Sequence, residues 1–289
     1  MIHLRVGDKL PIVAACQLLL NATRPELDAI AVDGIFGPQT RGAVERFRDE
    51  SKLSKGSEID PDTWAALAGS RYRVPDVVDL YDPDLTTAVD VLEDYGSVPT
   101  QFGGLCGGVA ALRGVLEQAG IGFGNLVLLR IMGHGNHGHQ AIAYGTGNHI
   151  LAALRGDEIL SFRELERTQR ERQADENERS QVLGEMRYSS LSYDFLQEPE
   201  LWSHLREISP LFAPCGCIEF HGCRVGSAEK GQWFLQGVAN IVGVPAVASL
   251  MKQRLYNAVR YRGPLALGIP GGATLKRWAG SLQALEGYV

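Results

Sequence analysis

Two short signatures, one ending at a histidine and one at a cysteine, constrain the fold of this chain more than any other feature. The apolar run Leu126–Met132 stops at Gly133-His134-Gly135-Asn136-His137-Gly138. Further on, Cys217-Ile218-Glu219-Phe220 runs into His221-Gly222-Cys223-Arg224-Val225-Gly226. Each reads as a buried strand that ends in a reactive side chain flanked by glycine. In open α/β sheets, ligands and chemistry collect at the carboxyl ends of parallel strands. If the two strands are neighbours, imidazole and thiol meet at that edge, and such a pair makes a thiolate nucleophile for acyl transfer.

At 289 residues the chain has room for two domains, on a prior of roughly 150 residues each. A hydrophobic share of 45% with 21% charged residues is that of a globular protein with a sizeable core. The net charge of −6, with no basic stripe interleaved with aromatics, argues against a nucleic-acid partner. No apolar run approaches the ~20 residues of a membrane span. The opening Met1-Ile2-His3-Leu4-Arg5-Val6-Gly7-Asp8 lacks the basic and apolar regions of a signal peptide. The expectation is therefore a protein that is cytoplasmic as synthesised. Cys16, Cys106, Cys215, Cys217 and Cys223 form no disulfide framework, which fits a reducing compartment.

Residues 4–69 have a style of their own. Ile12 to Leu20 carries helical apolar spacing, broken between Asn21 and Pro25. Asp33-Gly34 and Gly37-Pro38 are turn dipeptides, and a helix follows on Arg41 to Arg48. A third helix is expected at Pro61 to Leu67, and the core is placed near Leu18, Phe36, Val44, Phe47, Trp64 and Leu67. With Leu4-Arg5-Val6-Gly7-Asp8, Asp33-Gly34-Ile35-Phe36-Gly37-Pro38-Gln39-Thr40 and Thr63-Trp64-Ala65-Ala66-Leu67, this segment resembles the three-helix peptidoglycan-binding domain of cell-wall hydrolases. The resemblance implies a module of residues 1–69 that binds peptidoglycan or another wall glycan, with Asp33, Gly34, Phe36, Gly37 and Thr40 as its motif residues. It departs from the family at Arg48, where a glutamine is usual, and in the degenerate turn Gly56-Ser57-Glu58-Ile59-Asp60.

Residues 70–289 read as a second, α/β domain. Strands are expected at Val77–Tyr81, Leu126–Met132, Gln140–Tyr144, Ile150–Leu154, Gly216–Phe220 and Val244–Ser249. Helices are expected at Leu85–Tyr95, Gly108–Gln118, Trp202–Phe212 and Gly231–Val242. The stretch 163–181 is almost wholly polar and reads as an exposed helix or insertion. Helices alternating with short buried strands predict a three-layer α/β sandwich with a mostly parallel sheet.

The strand-His134-Gly135 and strand-Gly222-Cys223 pattern, with Val225-Gly226, Gly231-Gln232-Trp233-Phe234-Leu235 and Val244 to Ser249, resembles bacterial members of the caspase-like cysteine peptidases. That implies His134 as general base, Cys223 as nucleophile, and the Gly135 and Cys223 amides as oxyanion donors. The implied substrate is a protein or peptide, without metal or organic cofactor. The separation of His134 from Cys223 exceeds the roughly 50 residues of caspases, and the polar stretch 163–181 can absorb the excess. Relatives that cleave after basic residues carry aspartate where this chain has His221, so no basic preference is implied. Two alternatives stand beside this reading. One is an inactive binding platform of the same fold. The other is a papain-like peptidase or amidase with Cys106 at a helix start and His139 on a strand. The cluster His134, His137, His139, Cys215, Cys217 and Cys223 matches no established zinc spacing. A wall-directed hydrolase without a leader suits a bacterial effector exported by a non-classical route to the periplasm, wall or target cell, or a phage-type protein that meets wall after release.

Overall fold

A computed structural model describes residues 2–23, 29–74, 76–78, 108–133, 135–142, 190–193, 196, 199–253 and 260–285. The expected elements Leu85–Tyr95 and Ile150–Leu154, the polar stretch 163–181, and His134 and Cys106 lie outside these residues. Seven α-helices are described: α1 (Pro11–Thr23), α2 (Pro38–Glu50), α3 (Pro61–Ala68), α4 (Leu112–Gln118), α5 (Pro199–Ile208), α6 (Ala228–Val242) and α7 (Leu275–Leu282). The strands are β1 (Asp76–Val78), β2 (Leu126–Met132), β3 (Gly135–Asn136), β4 (His139–Ala141), β5 (Ser190–Ser192), β6 (Phe212–Phe220), β7 (Ala246–Ser249) and β8 (Leu265–Gly268).

Five strands form a sheet in the order β1-β2-β6-β7-β8, parallel throughout except for antiparallel β8. A small antiparallel sheet, β3-β4-β5, follows the end of β2. One face of the main sheet packs Leu129, Ile131, Ile218 and Phe220 against α4, α5 and α6. The other face packs Val127, Leu128, Ala213, Cys215 and Cys217 against α1 and α7. The protein is thus α/β, with helices on both sides of a mostly parallel sheet.

The N-terminal module is one of those layers. Helices α1, α2 and α3 each begin on a proline, whose fixed φ and missing N–H suit the first helical position. The expected core residues Leu18, Phe36, Val44, Phe47, Trp64 and Leu67 are all buried together, and the same cluster continues into β2, β6 and α7. Every residue of α1 from Pro11 to Leu20 is buried, because the helix is covered by its own module on one side and by the sheet on the other. Its one polar member, Gln17, is 1% exposed and ties up the Asp33-Gly34 turn. Its Nε2 lies within 3.0 Å of Asp33 Oδ1, Ile35 O and Thr40 Oγ1, and its Oε1 accepts from the amides of Asp33 and Gly34.

Arg48, the departure from the wall-domain pattern, is 3% exposed and organises the loop to α3. Its guanidinium donates to Ser54 O, Ser54 Oγ and Thr63 Oγ1 and pairs with Asp60 at 2.7 Å. Asp60 in turn caps α3 by accepting from the Thr63 amide.

Several boundaries differ from expectation for local reasons. Helix α5 ends at Ile208 and not at Phe212, because Pro210 lacks an N–H and disfavours helical backbone before it. Strand β6 starts at Phe212 and not at Gly216. A register shift between Leu126 and Leu128 of β2 absorbs the segment carrying Pro214 and Gly216, the residue types that sheets confine to bulges. Helix α6 begins at Ala228, earlier than expected, and β7 begins at Ala246, just after Pro245. The segment Gly268-Ile269-Pro270-Gly271-Gly272 contains the end of β8 and a 3-10 turn leading to α7.

Burial raises the Asp60 carboxyl, but hydrogen bonds from Thr63 and Arg48 and the Arg48 charge outweigh it and hold the group below its ordinary value. A depressed carboxylate contributes stability that is full above its unfolded pKa, about 3.9, and lost as pH falls through the folded value. Arg48→Met should therefore cost about 1–2 kcal/mol at pH 7, discounted for the partial exposure of Asp60. Urea titrations should show the gap from wild type narrowing below about pH 4; a constant gap would refute the assignment. A second expectation concerns the shared core. Deleting residues 1–69 uncovers Val127, Leu128 and Cys215, so the remainder should bind a hydrophobic dye and aggregate. A soluble, cooperatively unfolding 70–289 fragment would contradict that.

Candidate active site

The two signature strands are parallel neighbours, with Arg130 opposite Glu219 and Ile131 opposite Phe220. Beyond the paired region, the His221 amide still donates to Ile131 O at 2.9 Å, so the strands separate only at their carboxyl ends. There the chain turns around a backbone-to-backbone contact. A Cβ on Gly135 would lie 2.6 Å from Val225 Cγ2 and 2.8 Å from the Cys223 nitrogen. A Cβ on Gly222 would lie 2.5 Å from Gln140 Oε1 and 2.9 Å from Gly135 Cα. Only glycine fits either position, and each adjoins a proposed catalytic residue in sequence.

Cys223 is half-buried, and its Sγ donates to Gln253 O at 3.6 Å. Its loop is strained: Arg224 and Ala228 hold left-handed φ values of 58° and 57°, unusual for side-chain-bearing residues. The strain is held by hydrogen bonds from the Arg224 amide to Met251 O and from the Gly226 amide to Ser249 O. Helix α6 starts immediately afterwards, directing its first amides toward this end of the sheet. Ser227, at its N-cap position, does not cap. Its hydroxyl donates to Arg224 O at 2.6 Å and sits 3.1 Å from His137 Nδ1, which therefore supplies the proton of that contact.

Sequence reading missed Gln140 as a positioning residue. It is fully buried on β4, and its Oε1 accepts from the Gly222 amide at 2.9 Å. The signal was available: a glutamine within an apolar strand run must find a partner when buried. His221, a departure from the family pattern, belongs to a buried polar group on the module side of the sheet. Its Nε2 lies 3.0 Å from Glu219 Oε2, to which Arg130 Nε lies 3.7 Å, and its ring stacks on Tyr261 at 4.3 Å. Burial, then the Glu219 charge, pushes the Tyr261 phenol far up, and its hydroxyl donates to Val247 O.

The other described cysteines are poor nucleophiles. Burial, then the nearby Cys215, pushes the Cys16 thiol up. Burial carries Cys215 up to about 11 and raises Cys217 as well. His139 sits on β4 opposite Ser192 of β5, and its proposed partner Cys106 lies outside the described residues. In the module, Phe36 and Thr40 are core residues at 0% and 2% exposure, and Asp33, Gly34 and Gly37 build the turn before α2. Gly34 packs against Leu275 of α7. These five residues therefore shape the module, and Gly34 also meets α7. No family model matches the chain, and no curated protein or solved structure is significantly similar to it.

The Gln140 contact has a measurable consequence. Gln140→Ala removes the acceptor for a buried amide, which costs about 1–3 kcal/mol, and releases the turn before Cys223. The variant should fold with a lowered melting temperature and an altered Cys223 alkylation rate. Unchanged stability and rate would show that Gln140 does not hold the turn.

Proposed function

We propose that this protein is a cysteine hydrolase of caspase-like type, most simply a peptidase, with Cys223 as nucleophile and His134 as general base. The observation that carries the reading is the contact of Gly135 with the Gly222–Cys223 peptide at the ends of adjacent parallel strands. Gly135 and Gly222, which follow and precede the two proposed catalytic residues in sequence, are pressed together there. A carbonyl such as Gln253 O can accept the thiol hydrogen bond but cannot take the proton. Catalysis would therefore require the Cys223 thiol to exchange that carbonyl for a base. Thiolate attack on a substrate carbonyl would place negative charge near the Gly135 and Cys223 amides and the start of α6. Collapse would break the C–N bond and expel the amine, protonated by the imidazolium, and water attacking the resulting acyl-enzyme would release the acid and return the thiol.

The N-terminal resemblance adds peptidoglycan as an anchoring partner. Since the motif residues are committed to packing, a glycan would meet exposed side chains of α2 and α3 such as Gln39, Arg46 and Asp62.

Labelling with a thiol-reactive acyl probe tests the nucleophile. Cys223→Ala should abolish labelling, His134→Ala should reduce it at least about tenfold because the thiol then lacks the base that takes its proton, and Cys106→Ala should leave it intact. Labelling that survives Cys223→Ala but is lost with Cys106→Ala and His139→Ala would move the assignment to the papain-like pair. Labelling lost with Cys223→Ala, but no turnover of any peptide library, would leave a binding platform of the same fold.

A further inference from the structure

A cavity of about 440 Å³ lies between the N-terminal module and the sheet, at the low end of the size range of small-molecule sites. Neither Cys223 nor Gln253 lines it, so it is separate from the candidate active site. The apolar part of its lining is Ile2, Leu4 and Leu10 from the module and Leu128, Leu265 and Leu267 from the sheet. Arg130 and Glu219 are at its sheet side, 1% and 5% exposed. Both contacts of the Glu219 carboxylate, from His221 and Arg130, fall on Oε2, leaving Oε1 as an acceptor without a partner among the described residues.

Asp8, Lys9 and Arg260 add charge to the lining. Arg260 spends a single nitrogen on Asp8, with Nη2 at 3.0 and 3.1 Å from the two carboxylate oxygens. Its Nη1 and Nε make no hydrogen bond among the described residues, and Lys9 forms no ion pair there. Two cations against one carboxylate leave this group with one positive charge in excess. The cavity therefore offers a cationic group, an aliphatic wall and a buried carboxylate acceptor. A molecule complementary to all three carries a carboxylate, a small aliphatic body and an N–H donor.

We propose that this cavity binds the carboxyl end of a short peptide with small aliphatic side chains, its terminal carboxylate on Lys9 and Arg260 and a backbone N–H on Glu219. The Arg130 guanidinium beside Glu219 would face the adjoining peptide carbonyl. The aliphatic part of the lining favours apolar side chains over charged ones. Binding at this site would bridge the module to the sheet, because its lining comes from both.

Calorimetric titration of the full chain carrying Cys223→Ala, which removes turnover, tests the proposal independently of the hydrolase reading. The probes are N-acetyl-trialanine as the free acid and as its C-terminal amide. The acid should bind at least about tenfold more tightly than the amide, the difference expected for one charge-assisted contact. Lys9→Gln and Arg260→Gln should each weaken the acid and leave the amide unchanged; Lys9 is exposed, so its substitution keeps the fold. Equal affinity for acid and amide, no binding of the acid at millimolar concentration, or full acid affinity in both variants would overturn the proposal.

Discussion

Helix α1 is the element on which the rest of the molecule depends. A helix with no polar face cannot stand at a surface, and Pro11 to Leu20 supplies an unbroken buried stretch with one glutamine in it. Covering it takes α2 and α3 on one side and the sheet on the other. The same packing covers Leu128, Cys215 and Cys217, which would otherwise face water. Module and sheet therefore share one core, and what resembles a portable wall-binding unit is also a structural layer of the larger fold.

That shared core bears on chemistry because β6 lies at its centre. Its residues alternate between the two faces, so Ile218 and Phe220 anchor it to α6 while Cys217, Glu219 and His221 point toward the module side. A strand clamped from both sides can carry a strained turn at its end. Arg224 and Ala228 adopt left-handed backbone there, held by bonds to the segment after β7. Gln253, on that segment, holds the Cys223 thiol, and Tyr261 stacks on His221. The nucleophile candidate thus sits where sheet, module-side polar group and β7–β8 connection meet.

Much of this was legible in the residues. The run Leu126–Met132 appeared as a strand with the expected bounds, since six apolar residues around Arg130, between a turn and a glycine, leave little alternative. The module's helices and core were readable from proline, turn dipeptides and apolar spacing. Boundaries near Pro210 and Pro214 were not read correctly, because proline's effect depends on whether a helix stops or a strand bulges there. Gln140 was passed over, since its partner, the Gly222 amide, is remote in sequence. The buried group Arg130, Glu219 and His221 was invisible for the same reason: adjacency of β2 and β6 creates it.

The sequence by itself determined the module's three helices, the strand β2 and the alternation of helices with buried strands from α4 to β7 among the described residues. Local sterics and period-specific burial suffice for that, because they act within a few residues. Tertiary structure alone decided that Gly135 meets the Gly222–Cys223 peptide and that α1 covers the sheet. Those outcomes depend on which buried faces find each other across long stretches of chain, and apolar surface is non-directional. Shape, close packing and the pairing of buried charges make that choice, and they exist only once the chain has folded.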